Sequence, residues 1–432
     1  MNYRESRRYL NETAKLGSVL GLDAMRELMR RLGDVQNSCP AVHVAGTNGK
    51  GSVIAFLYSA LIRAGYNTGR YNSPAVFCYR ERWGINGEMI SREEFASCVE
   101  TAAEAADRMC AEGFPHPTVF EIETAAAFIW FARRHCDIVL VEVGMGGNLD
   151  ATNVIAKPLL SVITSIGMDH TEYLGSTLPE IAEKKAGIIK PGCMALSARQ
   201  ETGAEGVIRD ACRSCGIPFI ASDPDGAVIL EESSEGQRFL WQGEEYRIPL
   251  SGTYQIQNAV LALKALDILS GLGFPVSEPC RKQGLAAAEW DGRFTYLLRD
   301  PVFIADGAHN PPAARMLAES LEKYYPEKAG SFIFIIGMFR DKDYREVLRT
   351  TCHLAGTILT IETPGSKRAL PAGELCEAAK EFSANGRVTA MKSIEDAVRC
   401  AMNLASSGDV IVTFGSLSFL SAVRRIIETE HY

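Results

Sequence analysis

The chain has 432 residues, of which 47% are hydrophobic and 23% charged, and its formal net charge is −8. The composition is ordinary for a globular protein. A chain of this length is too long for one compact core, so we expect two domains. The negative balance without a long basic run argues against a nucleic-acid partner, and the lack of an apolar run of about 18 residues argues against a membrane span.

The first element with a chemical signature is a short apolar strand that runs into a glycine-rich turn. The strand is Ala41–Ala45, and the turn reads Gly46-Thr47-Asn48-Gly49-Lys50-Gly51-Ser52 before an apolar helical pattern. Backbone N–H groups of such a turn and the N-terminus of the helix bind phosphate oxygens. Lys50 is placed to reach the β- and γ-phosphates, and Ser52 to hold magnesium. Because Gly51 separates these two residues, the match to the general P-loop is imperfect. The alternative interpretation is a glycine-rich turn that binds no nucleotide.

Apolar runs of strand length recur along the chain and alternate with helical patterns. After Ala41–Ala45 they are Ile138–Val143, Leu160–Ile166, Val302–Ala305, Phe332–Ile336, Thr357–Ile361 and Val410–Phe414. Continuous apolar strands separated by helices are typical of parallel sheets covered on both faces. Residues 221–250 mix polar and apolar residues and predict a small antiparallel section, which a helix over residues 255–270 follows. The strand–helix alternation restarts after residues 287–292, where we place a domain boundary.

Polar side chains follow several of these strands, at the edge where an open α/β sheet binds its ligands. They are Glu142, Asp169, His170, Asp306, His309 and Asn310. Glu142 is placed like the acidic residue that orders magnesium in nucleotide hydrolases. Each residue alone could equally cap a helix or a turn, but their recurrence at one edge favours a ligand site.

A helix between Thr177 and Gly187 carries a lysine on its apolar face. Thr177 and Glu180 have the spacing of a capping box, and Gly187 has that of a helix stop. At 100° per residue, Lys185 falls on the same side of this helix as Ile181. Such a lysine either snorkels to solvent or is held inward, where burial shifts its pKa readily.

The expected compartment follows from the N-terminus and from cysteine usage. The first twenty residues carry charges but no apolar core segment, so we expect no signal peptide and a cytoplasmic location. The twelve cysteines are scattered singly, as is typical of free thiols in a reducing compartment. Cys212 and Cys215 form a lone C-x-x-C pair without the further ligands of a zinc site, which leaves a redox pair as the alternative to ordinary thiols.

Taken in order, the motifs resemble those of the folylpolyglutamate synthase/dihydrofolate synthase family, whose members are Mur-type ATP-dependent amide ligases. The glycine turn matches the variant P-loop of this family, and the resemblance extends over nearly the whole chain. It also rests on Ser73-Pro74, Glu81-Arg82, Ile85-Asn86-Gly87-Glu88, Phe120-Glu121 with Thr124, Glu142-Val143-Gly144-Met145-Gly146-Gly147, Leu149-Asp150-Ala151-Thr152-Asn153, Asp169-His170, Lys185-Ala186-Gly187-Ile188, Gln255 with Asn258, Trp290 with Gly292 and Arg293, Asp306-Gly307-Ala308-His309-Asn310-Pro311, Asp341-Lys342-Asp343 and Gly415-Ser416-Leu417.

The resemblance implies an α/β fold with a P-loop ATPase-like N-terminal domain, residues 1–288, and a Rossmann-like, glutamate-binding C-terminal domain, residues 289–432. It implies a monomeric ligase that uses ATP to join L-glutamate to dihydropteroate or a reduced folate. The implied nucleotide-binding residues are Gly46, Thr47, Asn48, Gly49, Lys50, Gly51, Ser52, Asn258, Arg293 and Asp306. The other implied roles are two Mg²⁺ ions held by Ser73, Glu142 and His170, substrate binding by Phe120, Asp150, His309 and Ser416, and catalysis by Lys50, His170 and a carbamylated Lys185.

Two departures from the family pattern concern the pterin substrate. Ala75 stands where a histidine usually follows Ser73-Pro74, and Asn148 stands where an arginine often precedes Leu149. Both lie near the expected pterin pocket, so the choice between dihydropteroate and folates stays open. A Mur-type peptidoglycan-precursor amino-acid ligase, which shares the P-loop and the chemistry, and a non-catalytic nucleotide-binding protein are the alternatives.

Overall fold

Strands and helices alternate along the chain. The computed structural model describes residues 1–17, 21–383 and 387–430. Ser18 to Leu20, which belong to the N-terminal segment without a signal-peptide pattern, lie outside the described residues. The strands are β1 (Ala41–Ala45), β2 (Thr68–Tyr71), β3 (Trp83–Ile85), β4 (Glu88–Met89), β5 (Ile138–Glu142), β6 (Leu160–Ile163), β7 (Met194–Ser197), β8 (Phe219–Ala221), β9 (Val228–Ser233), β10 (Gly236–Trp241), β11 (Glu244–Ile248), β12 (Thr295–Arg299), β13 (Val302–Ala305), β14 (Phe332–Ile336), β15 (Ala355–Thr360), β16 (Arg387–Ala390) and β17 (Val410–Phe414). The helices are α1 (Tyr3–Ala14), α2 (Asp23–Arg31), α3 (Lys50–Arg63), α4 (Arg92–Ala111), α5 (Val119–Arg133), α6 (Thr171–Leu174), α7 (Leu178–Ala186), α8 (Thr202–Ser214), α9 (Gln255–Gly271), α10 (Glu278–Ala286), α11 (Pro311–Tyr324), α12 (Tyr344–Thr351), α13 (Ala372–Phe382), α14 (Ile394–Leu404) and α15 (Leu420–Thr429). Among the described helices, none is long and apolar enough to cross a membrane.

The first sheet has eight strands in the order β4-β3-β2-β5-β1-β6-β7-β8. Six neighbouring strands pair in parallel, in the order β2-β5-β1-β6-β7-β8, so β1 lies between β5 and β6. Every residue of β1, β5 and β6 is buried, as their continuous apolar sequences predict for strands covered on both faces. Helices α3, α9 and α10 pack on one face, and α2, α4 and α5 on the other.

The edge of this sheet is antiparallel and departs from the predicted all-parallel pairing. β3 and β4 form a hairpin whose turn is Asn86-Gly87, with φ of 52° and 89° at these two residues. Positive φ at both central positions is the geometry of a type I′ turn, which Asn-Gly favours. The two strands have only three and two residues, too few for an apolar pattern to show.

The predicted antiparallel section is confirmed as the three-stranded sheet β11-β10-β9, and the predicted helix that follows it is α9, Gln255–Gly271. After α10 the chain enters a second sheet in the order β12-β13-β17-β14-β15-β16. Its strands pair in parallel except for β12, which is antiparallel at one edge. Parallel strands with helices on both faces give the Rossmann-like arrangement that the sequence predicts.

One strand ends earlier than its apolar run. β6 stops at Ile163, although the apolar run continues to Ile166. The residues beyond it leave the sheet to support the glycine turn, since the Thr164 hydroxyl donates to the Asn48 carbonyl at 2.7 Å and the Thr47 N–H donates to the Ser165 carbonyl at 2.8 Å. The carboxyl edge of the first sheet is therefore tied to the turn that follows β1.

Candidate active site

The glycine turn after β1 lies at the carboxyl edge of the first sheet and leads into α3. Gly46 has φ of +148° and Gly49 has φ of +89°, and L residues with a side chain rarely adopt either conformation. A Cβ on Gly46 would lie 1.8 Å from the Thr164 hydroxyl, and one on Gly49 would lie 2.5 Å from Oδ1 of Asn258. These glycines let the backbone approach both its supporting residues and any anion at the start of α3.

Gly51 makes the spacing of this turn differ from that of the general P-loop. Glycine is required here by close packing rather than by a positive φ. A Cβ at this position would lie 2.1 Å from Cζ2 and 2.3 Å from Cε2 of the Trp290 indole. Trp290 stands in the link between the two sheets, and its ring packs against the core formed by α3 and α9. The extra glycine therefore makes room for the inter-sheet link on the first turn of α3.

Two lysines converge on one backbone carbonyl of the turn. Nζ of Lys50 donates to the carbonyls of Gly46 at 3.1 Å and Thr47 at 3.2 Å, and Nζ of Lys185 donates to the Gly46 carbonyl at 2.9 Å. Lys185 is 4% exposed, so of the two alternatives for this lysine, snorkelling to solvent and an inward position, the structure shows the inward one. Burial and the neighbouring charge of Lys50 lower the pKa of Lys185 to about 7, and burial lowers the pKa of Lys50 as well.

The end of α7 is held against the loop that follows β5. Gly187 ends this helix with φ of −60°, so it is not the left-handed stop that glycine usually provides. It is required by close approach instead, because a Cβ there would lie 2.4 Å from Cβ of Asn148. The Asn148 N–H donates to the Lys184 carbonyl at 2.8 Å, which fixes the neighbouring Lys185 beside the loop after Glu142.

Glu142, at the end of β5, faces the start of α3. Its Oε1 is 3.9 Å from Nζ of Lys50, while its Oε2 accepts from Nδ2 of Asn72 at 2.9 Å and from the Ser73 N–H at 3.3 Å. The structure thus brings the two predicted metal ligands Glu142 and Ser73 together. Asn72 was not predicted, because β2, which it follows, is short and contains Gly69 and Arg70 rather than an apolar run.

His170, the third predicted metal ligand, lies on a strained stretch of backbone at the start of α6. Its φ is +48°, an uncommon conformation for a residue other than glycine and one that occurs often at functional sites. Burial, partly offset by Asp169, lowers the pKa of His170 to about 4, so the imidazole is neutral near pH 7. Its Nε2 lies 3.2 Å from Nζ of Lys342, which comes from the second sheet.

Asp169 is the point where residues of the second sheet reach the first. Its Oδ1 accepts from Nζ of Lys342 at 2.5 Å, its Oδ2 accepts from Nδ2 of Asn310 at 3.0 Å, and Nε2 of His309 lies 3.5 Å from Oδ2. Although burial opposes ionisation, the hydrogen bond from His309 and the charges of His309 and Lys342 hold the pKa of Asp169 well below its usual range. Nδ2 of Asn48 also lies 3.3 Å from Oδ1 of Asn310, which links the glycine turn to the start of α11.

Lys342 belongs to the motif Asp341-Lys342-Asp343, but no site role was predicted for it. Its position in the sequence could have indicated one. It follows β14 by six residues, so the rule that polar residues after parallel strands meet at one edge applies to it as well. The charged groups gathered around the glycine turn are those of Lys50, Lys185, Glu142, Asp169 and Lys342. Among the described residues no three His, Cys, Asp or Glu side chains form a metal cage, so any ion here needs ligands from a substrate or from water.

A cleft opens between the two sheets, and residues of both line it. Of the predicted nucleotide-binding residues, Asn48, Gly49, Ser52, Asn258, Arg293 and Asp306 line it. Tyr254, at the start of α9, lines it too and was not predicted. Both carboxylate oxygens of Asp306 accept backbone N–H groups, from Phe294 and Ala308, each at 2.7 Å. Asp306 therefore orients the link between the sheets at the cleft wall.

Phe120 and Asp150 lie together, on the far side of the loop after Glu142. A Cβ on Gly144 would lie 2.6 Å from Cζ of Phe120 and 3.2 Å from Oδ2 of Asp150. Phe120 stacks on Tyr71 at 6.3 Å between ring centres. Burial raises the pKa of Asp150, although the side chain and backbone N–H of Thr152 and the backbone N–H of Met145 donate to it.

Ser416 lies at the carboxyl end of β17 and is 4% exposed. Its hydroxyl accepts from the Ser418 N–H at 3.2 Å, and the next residue, Leu417, would contact a Cβ on Gly307 at 2.4 Å. Ser416 and His309 thus belong to neighbouring loops at the carboxyl edge of the second sheet. The twelve cysteines, all within the described residues, are free, so the C-x-x-C pair forms no disulfide here.

Comparisons with known proteins match the whole length of the chain. The Mur ligase middle domain family matches residues 44–266, and the Mur ligase glutamate ligase domain family matches residues 292–417. The dihydrofolate synthase/folylpolyglutamate synthase of Bacillus subtilis is 35% identical over 98% of each chain, and the folylpolyglutamate synthase of Lacticaseibacillus casei is 31% identical over 99% of each.

Solved structures give the same picture. The Mycobacterium tuberculosis folylpolyglutamate synthase complexed with ADP and AMPPCP superposes with a TM-score of 0.87 at 30% identity, covering 98% of this chain and 99% of that one. Escherichia coli FolC in complex with DHPP and ADP superposes with a TM-score of 0.86 at 30% identity, covering 99% of this chain and 98% of that one.

Proposed function

The chain belongs to the folylpolyglutamate synthase/dihydrofolate synthase family of Mur ligases and is an ATP-dependent ligase, and from this premise we propose how its own residues perform the reaction. The substrates are L-glutamate, ATP and a pterin carboxylate, either dihydropteroate or a reduced folate. The observation that carries the proposal is the meeting of Asp169 with Lys342 and His309 beside Lys50 and Lys185. Residues that follow strands of both sheets then meet beside the glycine turn, as a reaction that joins substrates held by both sheets requires.

The chemistry sets what the site must do. A carboxylate is a poor acyl donor because oxide is a poor leaving group, so the γ-phosphate of ATP is first transferred to a carboxylate oxygen. This gives an acyl phosphate and ADP. The amine of glutamate then attacks the acyl carbon, the tetrahedral intermediate expels phosphate, and the nitrogen loses a proton. The protein contributes mainly by positioning and by neutralising charge, as in other phosphoryl transfers.

Lys50 and the N-terminus of α3 would hold the phosphates of ATP. Ser73, Glu142 and His170 would hold two Mg²⁺ ions, which neutralise phosphate charge when bound. These residues fit, because Mg²⁺ usually takes one or two protein ligands and completes its shell with phosphate oxygens and water. His170 is neutral near pH 7, so one ring nitrogen carries a lone pair; because Nζ of Lys342 donates to Nε2, ligation there requires Lys342 to give up this contact.

Lys185 is proposed to carry a carbamate. A pKa of about 7 gives this amine a neutral fraction at physiological pH, and its lone pair can attack CO₂ with loss of one proton. The product exchanges a buried cation for an anion beside Lys50, which relieves the repulsion between the two ammonium groups. Intact mass measurement or crystallographic density from an active, bicarbonate-supplied preparation tests this, and a bare amine there would refute it.

The remaining proposed roles are those that the family resemblance implies. Residues 1–288 would bind ATP and the pterin, and residues 289–432 would bind glutamate, in a monomer in the cytoplasm. Asn258, Arg293 and Asp306 would contact the nucleotide, Phe120 and Asp150 the pterin, and His309 and Ser416 the glutamate. Closure of the cleft would exclude water from the acyl phosphate.

A substrate panel tests the proposal. Purified protein is given ATP, Mg²⁺ and radiolabelled glutamate with dihydropteroate, a reduced folate, a nucleotide-linked peptidoglycan precursor, or no acceptor. We expect release of ADP and labelled amide only when glutamate and a pterin are both present. Product with the peptidoglycan precursor alone would favour that ligase, and nucleotide binding without turnover on any acceptor would favour a non-catalytic protein. Lys50→Ala should abolish product, whereas undiminished product would refute the role of Lys50.

A further inference from the structure

A histidine buried behind the site has no role in the account so far. His43 lies at the middle of β1, between Val42 and Val44, and is 0% exposed. Its Nε2 lies 2.8 Å from the hydroxyl of Thr152, and its Nδ1 is buried without a hydrogen-bond partner in the described part of the chain. An apolar residue would suit this strand better, since a buried hydrogen-bond acceptor without a partner destabilises the folded protein. No local sequence pattern indicates this contact, because Thr152 lies 109 residues away.

The hydrogen bonds form a chain with one direction. The Thr152 hydroxyl donates its single hydrogen to Oδ1 of Asp150 at 2.5 Å, an oxygen that also accepts the Thr152 N–H. The hydroxyl oxygen must therefore accept from His43, which places the imidazole hydrogen on Nε2. Burial lowers the pKa of His43 to about 3, so the ring is neutral and, with its hydrogen on Nε2, its Nδ1 carries none. The order of donation is His43 to Thr152 to Asp150.

Asp150 is held at both oxygens by this arrangement. Oδ1 also accepts the Thr152 N–H at 3.0 Å, and Oδ2 accepts the Met145 N–H at 2.8 Å. Oδ2 lies on the Gly144 side, where the ring of Phe120 approaches the same point. The rotation of the carboxyl group therefore sets the position of Oδ2 relative to the Phe120 ring.

We propose that His43 is a positioning residue for substrate recognition, which orients Asp150 through Thr152 so that the carboxylate accepts N–H donors of the pterin ring stacked near Phe120. This inference rests on the proposed function. A pyrimidine edge with an amino group and a ring N–H offers two donors, which suit the oxygen acceptors of a carboxyl group. His43 also joins the strand that leads into the glycine turn to the pterin side of the loop after Glu142.

Four variants test the relay. His43→Leu removes the donor at similar volume, and His43→Gln keeps an N–H at the position of Nε2. Thr152→Val removes the hydroxyl, and Ser161→Ala is the matched control. Ser161 is the register partner of His43 on β6, is equally buried, and donates to the Ile188 carbonyl at 2.8 Å rather than toward Asp150.

The readout is the KM for dihydropteroate against the KM for ATP, with direct dihydropteroate binding by equilibrium dialysis. We expect His43→Leu to raise the pterin KM and Kd about fivefold or more while the KM for ATP stays constant, which is the size of one lost hydrogen bond. His43→Gln should restore most of this loss, and Ser161→Ala should leave the pterin KM unchanged. His43→Leu combined with Thr152→Val should be no worse than Thr152→Val alone, because the histidine acts through the hydroxyl.

Two results would overturn the inference while leaving the proposed function intact. One is active His43→Leu protein with an unchanged pterin KM, and the other is an equal rise of that KM in Ser161→Ala. Wild-type protein that adds glutamate to no pterin and binds none would remove the proposed function and this inference with it.

Discussion

Replacement of Lys185 by methionine should stabilise the unliganded protein and abolish its activity. The side chain is 4% exposed and its ammonium lies near that of Lys50, so the folded protein disfavours its charged form. Methionine has similar length and no charge to desolvate. The protein would thus lose an energetic cost that it tolerates for function, as is common at active sites.

The magnitude follows from the pKa of this one group. Its value falls from an ordinary 10.5 to about 7 on folding, which corresponds to a cost of about 5 kcal/mol below pH 7. The hydrogen bond from Nζ to the Gly46 carbonyl, which methionine would lose, offsets about 1 kcal/mol of the gain. We therefore expect Lys185→Met to raise the free energy of unfolding by about 2–4 kcal/mol at pH 7.

The sign of the pH dependence is specific. Between the folded pKa of about 7 and the unfolded value of 10.5, the unfolded chain binds the extra proton, so wild-type stability rises with pH in this window. The advantage of Lys185→Met should accordingly shrink by about 1.4 kcal/mol for each pH unit above 7 and be largest below it.

Urea unfolding in CO₂-free buffer at pH 7, 8 and 9, followed by tryptophan fluorescence, measures this difference. All four tryptophans lie at or before residue 290, so the signal reports on the part of the chain that contains Lys185. Lys184→Met, one residue away and on another side of α7, is the matched control and should change little. A Lys185→Met protein that is less stable than wild type at pH 7, or a difference independent of pH, would refute the reasoning.

Two further substitutions probe the contacts between the sheets. Gly51→Ala would place a Cβ 2.1 Å from the Trp290 ring, so we expect a loss of about 1–3 kcal/mol in stability and weaker ATP binding, by thermal melting and calorimetry; unchanged values would contradict the packing account. Lys342→Met removes a buried partner of Asp169, and because other donors to that carboxylate remain we expect a cost of about 1–3 kcal/mol rather than the full penalty of a broken buried pair. The pKa of Asp169 is lowered on folding, so the ionised carboxylate stabilises the protein above about pH 4 and this stabilisation is lost as the pH falls. The free energy of unfolding of Lys342→Met should therefore fall less steeply with decreasing pH than that of wild type. An equally steep fall would count against the ion pair.

The centres of both sheets can be predicted from the sequence, because their strands are continuous apolar runs bounded by helices. Four predicted strands, Ala41–Ala45, Val302–Ala305, Phe332–Ile336 and Val410–Phe414, have the observed bounds. The edge hairpin β3–β4 escapes such a pattern because its strands are too short, although Asn86-Gly87 is a recognisable turn signal. The early end of β6 also escapes it, because only the folded chain shows that Thr164 turns to support the glycine turn.

The residues of the candidate site are likewise only partly predictable from the sequence. Strand-end polarity predicts Glu142, Asp169 and His309, since parallel strands bring their carboxyl ends to one edge. The helical face of Lys185 follows from periodicity alone. The meeting of Asp169 with Lys342 depends on how the two sheets dock, and no local pattern contains that information. The contact of His43 with Thr152 is equally hidden, because burial of a histidine in a strand has no sequence signature.

The central claim is that ATP activates the pterin carboxylate by phosphorylation in the cleft between the sheets. It is tested most directly with dihydropteroate labelled with ¹⁸O in its carboxylate, turned over with ATP and glutamate and followed by mass spectrometry of the released phosphate. An acyl phosphate requires one labelled carboxylate oxygen to leave with the phosphate, so we predict one ¹⁸O in each phosphate formed. Unlabelled phosphate accompanying amide formation would contradict the account.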